Sequence, residues 1–418
     1  MDIDKIKQRI LDLAIRGKLV SQDPNDEPAS VLIEKIKAEK EKMIKEGKIK
    51  PSKDDSYIYK ASDNCYYENI PNGWTLVKLK ELISLKSGMD LMLSEINTNS
   101  VGIPYLTGAS CFTNNGLLIN RWTNAPKNIS HKNDLLITVK GTIGELAFNN
   151  IGEVHIARQI MALTINEEIE QKFIFYFLLV NKERMIQKNA SLIPGIKRDD
   201  ILNLEIALPP KEEQKRIIAK IDELLYFVKK IKNELKAMCD LSIAVKRKIL
   251  DFFFGENSSY KSYYEKKKIE DISKTISVSD FEIKIKYILP NGIIPVVSQS
   301  MNLIDGYINE SEKILSNIPY IVFGDHTKVV KFINFPFVPG ADGTKILKSI
   351  DGIEPKFLFY SSLYASNKIE SRGYGRHYSK FKKVYIPVYP INLQQNIVTI
   401  LDKVFSLIDS NIINKFYL

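Results

Sequence analysis

ALPPKEEQKRIIAKIDELL (residues 207–225) decides how the chain is built. Two prolines forbid both the continuation of a preceding strand and helical geometry before them. Lys211-Glu212-Glu213 then puts acid in a first helical turn, where the helix dipole favours it. From there Ile217, Ile221, Leu224, Val228, Ile231, Leu235, Met238, Ser242, Val245, Ile249 and Phe252 step by four and three, and only Ser242 is polar. A heptad seam sustained over this span predicts a long helix with a coiled-coil partner. At 1.5 Å per residue it covers roughly 54 Å. An amphipathic helix of that length cannot bury its stripe alone.

A fainter version, VYPINLQQNIVTILDKVF (388–405), carries Asp222 onto Asp402, Pro210 onto Pro390, Gln214 onto Gln394 and Ile217 onto Ile397 at one constant shift. The same shift carries Gly195 of IPGIKRDD onto Gly375 of GYGRHYSK. QKFIFYFLL (171–179) resembles PKFLFYSSL (355–363), VKLKELI (77–83) resembles KKIEDIS (267–273), and KQRILDLA (7–14) resembles KRKILDFF (246–253). Leu401, Val404 and Ile408 continue the C-terminal seam. The chain is thus an internal repeat. The N-terminal helix is expected to supply the half that the last helix lacks, closing a pseudo-two-fold arrangement. Two globular copies joined by a stiff rod suit a target with two parts.

The 418 residues contain 44% hydrophobic and 26% charged side chains, enough apolar material for more than one core. The net charge of +10 points to a polyanionic partner, nucleic acid first and an anionic membrane second. Three scattered cysteines argue against a disulfide framework or a Cys-based zinc site. MDIDKIKQRI lacks the apolar core of a signal peptide, and FIFYFLLV (173–180) is too short to span a bilayer, so a soluble cytoplasmic protein is expected. The helical stretch VLIEKIKAEKEKMIKEGKIK places Leu32, Ile36 and Met43 on one stripe.

No methylase tetrapeptide of the N/D/S-P-P-aromatic type occurs, since LPPK has the wrong flanks. GADGTK (340–345) lacks phosphate-loop spacing. His131, His155, His326 and His377 stand singly, so neither a catalytic centre nor a metal site is expected. Bases are read by Arg, Lys, Asn and Gln, and phosphates are gripped by Lys and Arg. On that basis GYGRHYSK, expected to precede a strand, offers Tyr374, Arg376, His377, Tyr378 and Lys380, with Arg372 beside it. Its counterpart GIKRDD offers Lys197 and Arg198. VKGTIGEL (139–146) offers Lys140 and Thr142, FGDHTKVV (323–330) offers His326, Thr327 and Lys328, and a strand-like run offers Arg158 and Gln159. Tight turns with solvated charges would look the same.

LPPKEEQKRIIAKIDEL, the N-terminal run RILDLAIRGKLVSQDPNDEPASVLIEKIKAEKEKMIKEGKIK and NIPNGWTLVKLKEL resemble the specificity subunits of type I restriction-modification enzymes. GTIGELAF, PGIKRDDILNLEIALPP and RGYGRHYSKFKK resemble the target-recognition domains of that family. The resemblance covers nearly the whole chain. It implies an α+β fold with an N-terminal helical segment (1–70), a first recognition domain (71–210), a central long helix (211–257), a second recognition domain (258–390) and a C-terminal helix (391–418), the helices forming antiparallel coiled coils. It implies double-stranded DNA with an asymmetric bipartite site as target. Two methyltransferase subunits, and restriction subunits through them, are the implied partners. S-adenosylmethionine, ATP and Mg would belong to those partners, leaving this chain non-catalytic. The competing readings are a stand-alone methyltransferase or nuclease and a protein-binding scaffold.

Overall fold

A buried glutamine follows the proline at each joint. The computed structural model describes residues 3–47, 69–113, 116–187, 195–255, 264–277, 283, 285–311, 314–340, 343–370 and 375–417. The chain divides into two compact units, residues 1–232 and 233–418, with the boundary inside the long helix.

In the first unit, α1 (Ile3–Ile15) buries Leu11, Ala14 and Ile15. It ends in a Schellman motif: the Lys18 amide donates to the Leu13 carbonyl (2.8 Å) and the Gly17 amide to that of Ala14 (3.1 Å). Gly17 takes φ +66°, and a Cβ there would stand 2.5 Å from Pro71 Cγ, so both backbone and packing require glycine. On α2 (Ala29–Lys45), Ala29, Leu32, Ile33 and Ile36 are buried, while Met43, expected on that stripe, is exposed. Strand Thr75–Lys78 pairs antiparallel with Glu205–Leu208, which closes the β-rich region directly before the prolines. A four-stranded antiparallel sheet runs in the order 83–87, 160–165, 135–138, 146–148. A second sheet contains the parallel pair Ile103–Leu106 and Val154–Ile156. The helix α3 (Gln171–Val180), apolar on most sides, buries Phe173, Ile174, Tyr176, Phe177 and Leu178. Short helices α4 (Lys182–Gln187) and α5 (Arg198–Leu202) follow, then the 44-residue α6 (Lys211–Phe254).

The second unit repeats this order. Glu265–Lys268 pairs with Tyr385–Val388, and α7 (Ile269–Ile272) follows the first of them. The four-stranded antiparallel sheet runs 273–276, 344–349, 320–324, 330–333. The parallel pair is Ile294–Val297 with Val338–Pro339. Helices α8 (Pro355–Lys368), α9 (Tyr378–Phe381) and α10 (Ile391–Tyr417) match α3, α5 and the start of α6. The end of α6 buries Leu250, Phe253 and Phe254 in this core; at the matching positions of α1, Leu11 and Ala14 lie in the other core and Ile15 is buried as well. The sequence likeness between KQRILDLA and KRKILDFF is therefore a likeness of packing.

Both joints are held by the same pair of contacts. Gln214, 0% exposed, accepts from the Glu170 amide (3.0 Å) and donates to the Pro209 carbonyl (3.0 Å). Gln394, 1% exposed, accepts from the Glu354 amide (2.9 Å) and donates to the carbonyls of Tyr389 (2.7 Å) and Gly352 (3.0 Å). Two turns later Asp222 accepts from Lys172 (2.6 Å) and Tyr176, as Asp402 does from Lys356 (2.5 Å) and Tyr360 (2.7 Å). Burial pushes the Asp222 carboxyl up, but the bonds from Lys172 and Tyr176 hold it below the usual carboxylate range. Arg216 adds an ion pair to Asp26 (2.5 Å), fixing the loop between α1 and α2 to α6.

The start of the heptad seam has a different use from the one its periodicity suggests. Ile217, Ile221 and Val228 are buried, the first two in the first unit's core, and Leu401 is buried in the second. Leu224, Leu235, Met238, Val404 and Ile408 are half-buried, and Ile231 is 41% exposed. At the start of the pattern Ile217 and Ile221 pack on the first β-rich domain and near its end Ile249 packs on the second, while Val245 and Phe252 are exposed. Within the second unit α10 does run beside the end of α6: Lys246 reaches Asp409 (2.6 Å), and Tyr389 donates to the Phe253 carbonyl.

Replacing Gln214 or Gln394 by Ala is expected to lower stability by about 1–3 kcal/mol each, since buried backbone groups lose their partner. Urea unfolding against the exposed control Gln395→Ala checks this; equal effects would contradict it. The depressed Asp222 pKa contributes stability above the unfolded value, about pH 4, that is lost as pH falls through the folded one. Asp222→Asn should therefore lose less stability between pH 5 and pH 3 than the parent.

Candidate nucleic-acid interface

In the first unit, three stretches that sequence reasoning singled out separately meet at one end of the β-rich region. The Val139 amide donates to the Gln159 carbonyl (2.8 Å), and the Val139 carbonyl accepts from the Ile196 amide (3.0 Å). These two bonds lace together the turn holding Lys140 and Thr142, the turn holding Arg158 and Gln159, and the segment holding Lys197 and Arg198. All six side chains are exposed. Thr138 Oγ1 donates to the Thr142 carbonyl (2.7 Å), and Gly141 and Gly144 supply the positive φ that so tight a turn needs. The Arg158–Gln159 pair, expected within a strand, instead forms the two-residue turn between Val154–Ile156 and Ile160–Ile165. Asp90 holds that turn, 2.7 Å from Arg158 Nε and 3.1 Å from its amide. Lys197 caps α5, its amide donating to Asp200 (2.8 Å), and Arg198 reaches Ser87 Oγ (3.2 Å).

The second unit is laced in the same way. The Asp325 amide donates to the Gly343 carbonyl (2.7 Å), and the Asp325 carbonyl accepts from the His377 amide (2.9 Å). His326 and Thr327 sit on this turn, with the His326 amide donating to Gln299 Oε1 (3.1 Å) and Thr327 Oγ1 to the Gln299 carbonyl (2.7 Å). Arg376 and Lys380 are exposed. Arg372 and Tyr374 lie outside the described residues.

Three expected contacts have structural duties. His377 is only 2% exposed, and its Nδ1 lies 2.9 Å from the Asp325 carbonyl oxygen, so the ring is turned into the protein. Lys328 takes φ +59° and spends its amine on the Ile369 carbonyl (2.9 Å), while its carbonyl accepts from Ser366 Oγ (2.7 Å). Tyr378 is half-buried, its hydroxyl 2.6 Å from Thr275 Oγ1, and burial pushes its phenol up. It opens the short helix α9, and the expected strand, Tyr385–Val388, follows that helix. Arg198 opens α5 at the matching place, and both reach a hydroxyl on the outer strand of the four-stranded sheet.

Gln299 was not foreseen, and its counterpart shows why it is there. By strand register Gly108 corresponds to Gln299 and Gln159 to Gly343. A Cβ on Gly108 would stand 2.2 Å from Gln159 Oε1, and one on Gly343 would stand 2.7 Å from Gln299 Nε2. Each edge therefore has one glutamine amide lying over one glycine, supplied from opposite segments. Seen alone, neither Gln nor Gly stands out; aligning the two repeats strand by strand would have paired them.

Among the described residues no cluster of His, Cys, Asp and Glu could hold a metal, and no helix is long and apolar enough to cross a membrane. Fold and site define a tandem-repeat α+β protein with an equivalent laced, polar loop edge on each repeat. The chain belongs to the family described as "Type I restriction modification DNA specificity domain", whose profile matches residues 71–237 and 261–415, one segment in each repeat. It is similar to the type I restriction enzyme EcoEI specificity subunit of Escherichia coli, 27% identical over 56% of this chain and 41% of that protein. It is also similar to the EcoAI specificity subunit of Escherichia coli, 29% identical over 53% of this chain and 39% of that protein. The chain thus spans about two fifths of the length of these curated relatives. The crystal structure of the type I restriction-modification system S subunit from M. genitalium aligns over 84% of this chain and 94% of that one, with 18% identity and a TM-score of 0.40.

Asp325 is the keystone of the second edge, since Tyr378 donates its amide to the Asp325 carboxylate (2.7 Å) as well. Asp325→Ala is expected to cost about 1–3 kcal/mol in the second unit, since the part-buried Tyr378 amide loses its carboxylate partner. Differential scanning calorimetry checks this, and an unchanged profile would contradict the keystone role.

Proposed function

We propose that this chain is the DNA-specificity subunit of a type I restriction-modification complex, reading a bipartite, asymmetric site with one laced loop edge per repeat. The observation that carries the reading is the match of both repeats to one DNA-specificity family, with the exposed cations and amides of each repeat gathered on the same edge. In the first repeat Lys140, Lys197 and Arg198 grip phosphates, while Gln159 and Arg158 face base edges. In the second, Arg376 and Lys380 do the gripping, with His326 and Thr327 beside them. His377, Lys328 and Tyr378 position the edge rather than read it. The two edges differ in nearly every side chain, so their half-sites differ. The half-sites lie about one helical turn apart, roughly 34 Å, in adjacent major grooves.

The partners are two methyltransferase subunits, which dock on the helical segments, and restriction subunits that join through them. The exposed middle of α6, including Ile231 and Leu241, is apolar surface available for such helices and for the coiled-coil pairing that the heptads encode. S-adenosylmethionine, ATP and Mg belong to those subunits, and this chain contributes no catalytic group. The complex works in the cytoplasm.

Methylation mapping in a host carrying the whole system tests this. A two-part motif is expected, with Gln159→Ala relaxing one half and His326→Ala the other, while Arg198→Ala and Arg376→Ala weaken binding to any sequence. Each lost phosphate contact should also flatten the salt dependence of binding by about 0.9 in log–log slope. A single continuous motif, or a motif that survives deletion of the gene, would contradict the proposal.

A further inference from the structure

The second repeat carries a loop whose construction the phosphate and amide contacts do not use. Residues 298–305, SQSMNLID, leave the strand Ile294–Val297 at the reading edge. Lys331, 6% exposed, projects its amine into this loop and donates to the carbonyls of Ser298 (2.8 Å) and Asn302. Asp305 closes the loop from the other side, accepting from the Ser298 amide (2.8 Å) and the Ser300 hydroxyl. The Asn302 amide donates to Ser300 Oγ (3.1 Å). Residues 300 and 302 are thus fixed on both flanks of Met301. Gln299, one residue before that pair, is bonded to the turn of His326 and Thr327.

Met301 is 84% exposed and Leu303 53% exposed at the tip of this loop. A buried amine is costly unless its donors are satisfied, and burial indeed pushes the Lys331 pKa down. The sequence therefore places an expensive internal staple under a loop whose tip shows apolar side chains to water. An apolar tip held this way, directly beside a polar reading edge, is preorganised to meet a surface that is itself part apolar. In the major groove the one apolar feature of the bases is the C5-methyl of thymine, which is read by apolar contact. The flexible, polarisable thioether suits a small methyl surface. The first repeat has an apolar tip at its own edge from a different segment. Met92 and Leu93 are exposed there, and Glu95, bonded to Lys127 (2.9 Å), fixes their turn beside Asp90 and Arg158.

We propose that the stapled loop 298–305 is a specificity element in which Met301, supported by Leu303, packs against the C5-methyl of a thymine in the second half-site. This inference rests on the DNA-specificity reading above. It assigns to the second repeat a contact that hydrogen-bonding residues cannot make, and it explains the position of a buried lysine behind a solvent-exposed methionine.

Replacing thymine by deoxyuridine removes that methyl and nothing else. The test uses the full chain in complex with its methyltransferase subunits and duplexes carrying the motif found by methylation mapping. Each thymine of the second half-site is changed to deoxyuridine in turn, with binding measured for the parent and for Met301→Ala. One position is expected to weaken parent binding roughly fourfold, the factor that burial of one methyl-sized group confers. Met301→Ala should bind thymine and deoxyuridine duplexes equally while still preferring the motif over random sequence. A second half-site without thymine on either strand, no sensitive position, or full methyl discrimination in Met301→Ala overturns the inference and leaves the specificity reading standing. If the parent complex does not prefer its motif over random duplex, the specificity reading itself falls.

Discussion

The buried carboxamide at the start of each exit helix is the constraint on which the architecture depends. Gln214 and Gln394 each satisfy, from inside the protein, a carbonyl left by the proline-terminated strand and an amide at the entrance to the neighbouring helix. Three chain segments are fixed by one side chain that water does not reach. The prolines prevent the strand from running on, the glutamine sets where the helix leaves, and two turns further on Asp222 or Asp402 locks that helix to α3 or α8. The two-stranded sheet of each repeat thus ends at a fixed point, from which the exit helix leaves.

The same frame supports two different surfaces. The lacing bonds are made by backbone groups, those of Val139, Gln159 and Ile196 on one side and of Asp325, Gly343 and His377 on the other. Backbone lacing leaves side chains free to vary, which is how one fold can present Lys140 and Arg158 on one edge and His326 and Arg376 on the other. The exchanged Gln–Gly pair shows how far the variation goes. The amide lies over the glycine in both repeats, yet it comes from opposite strands.

Much of the fold was legible in the sequence because repetition is a strong signal. Pro210 and Pro390, Gln214 and Gln394, and Asp222 and Asp402 keep their register, and each pair does the same job in space. Other features were hidden because their causes lie far away along the chain. A heptad pattern records that one helix face is apolar but not what covers it, so Ile217 and Ile221 read as coiled coil when they are domain core. His377 looked available for DNA because its partner, the Asp325 carbonyl, comes from a turn in a different strand hairpin. Lys328 looked like a surface cation, but its amine closes on Ile369. Gln299 and Met301 sit in no basic or glycine-rich stretch, so the sequence does not mark them. Their significance comes from Lys331, two strands away.

The central claim is that one laced loop edge on each repeat meets DNA. Hydrogen–deuterium exchange of the complex with and without a duplex bearing its mapped motif tests it most directly. Slowed exchange is predicted at 139–144, 158–159 and 195–198 in the first repeat, and at 299–303, 325–328 and 375–380 in the second. A random duplex should give weaker protection at the same places. Protection confined to the middle of α6, with all six segments unchanged, would contradict the account.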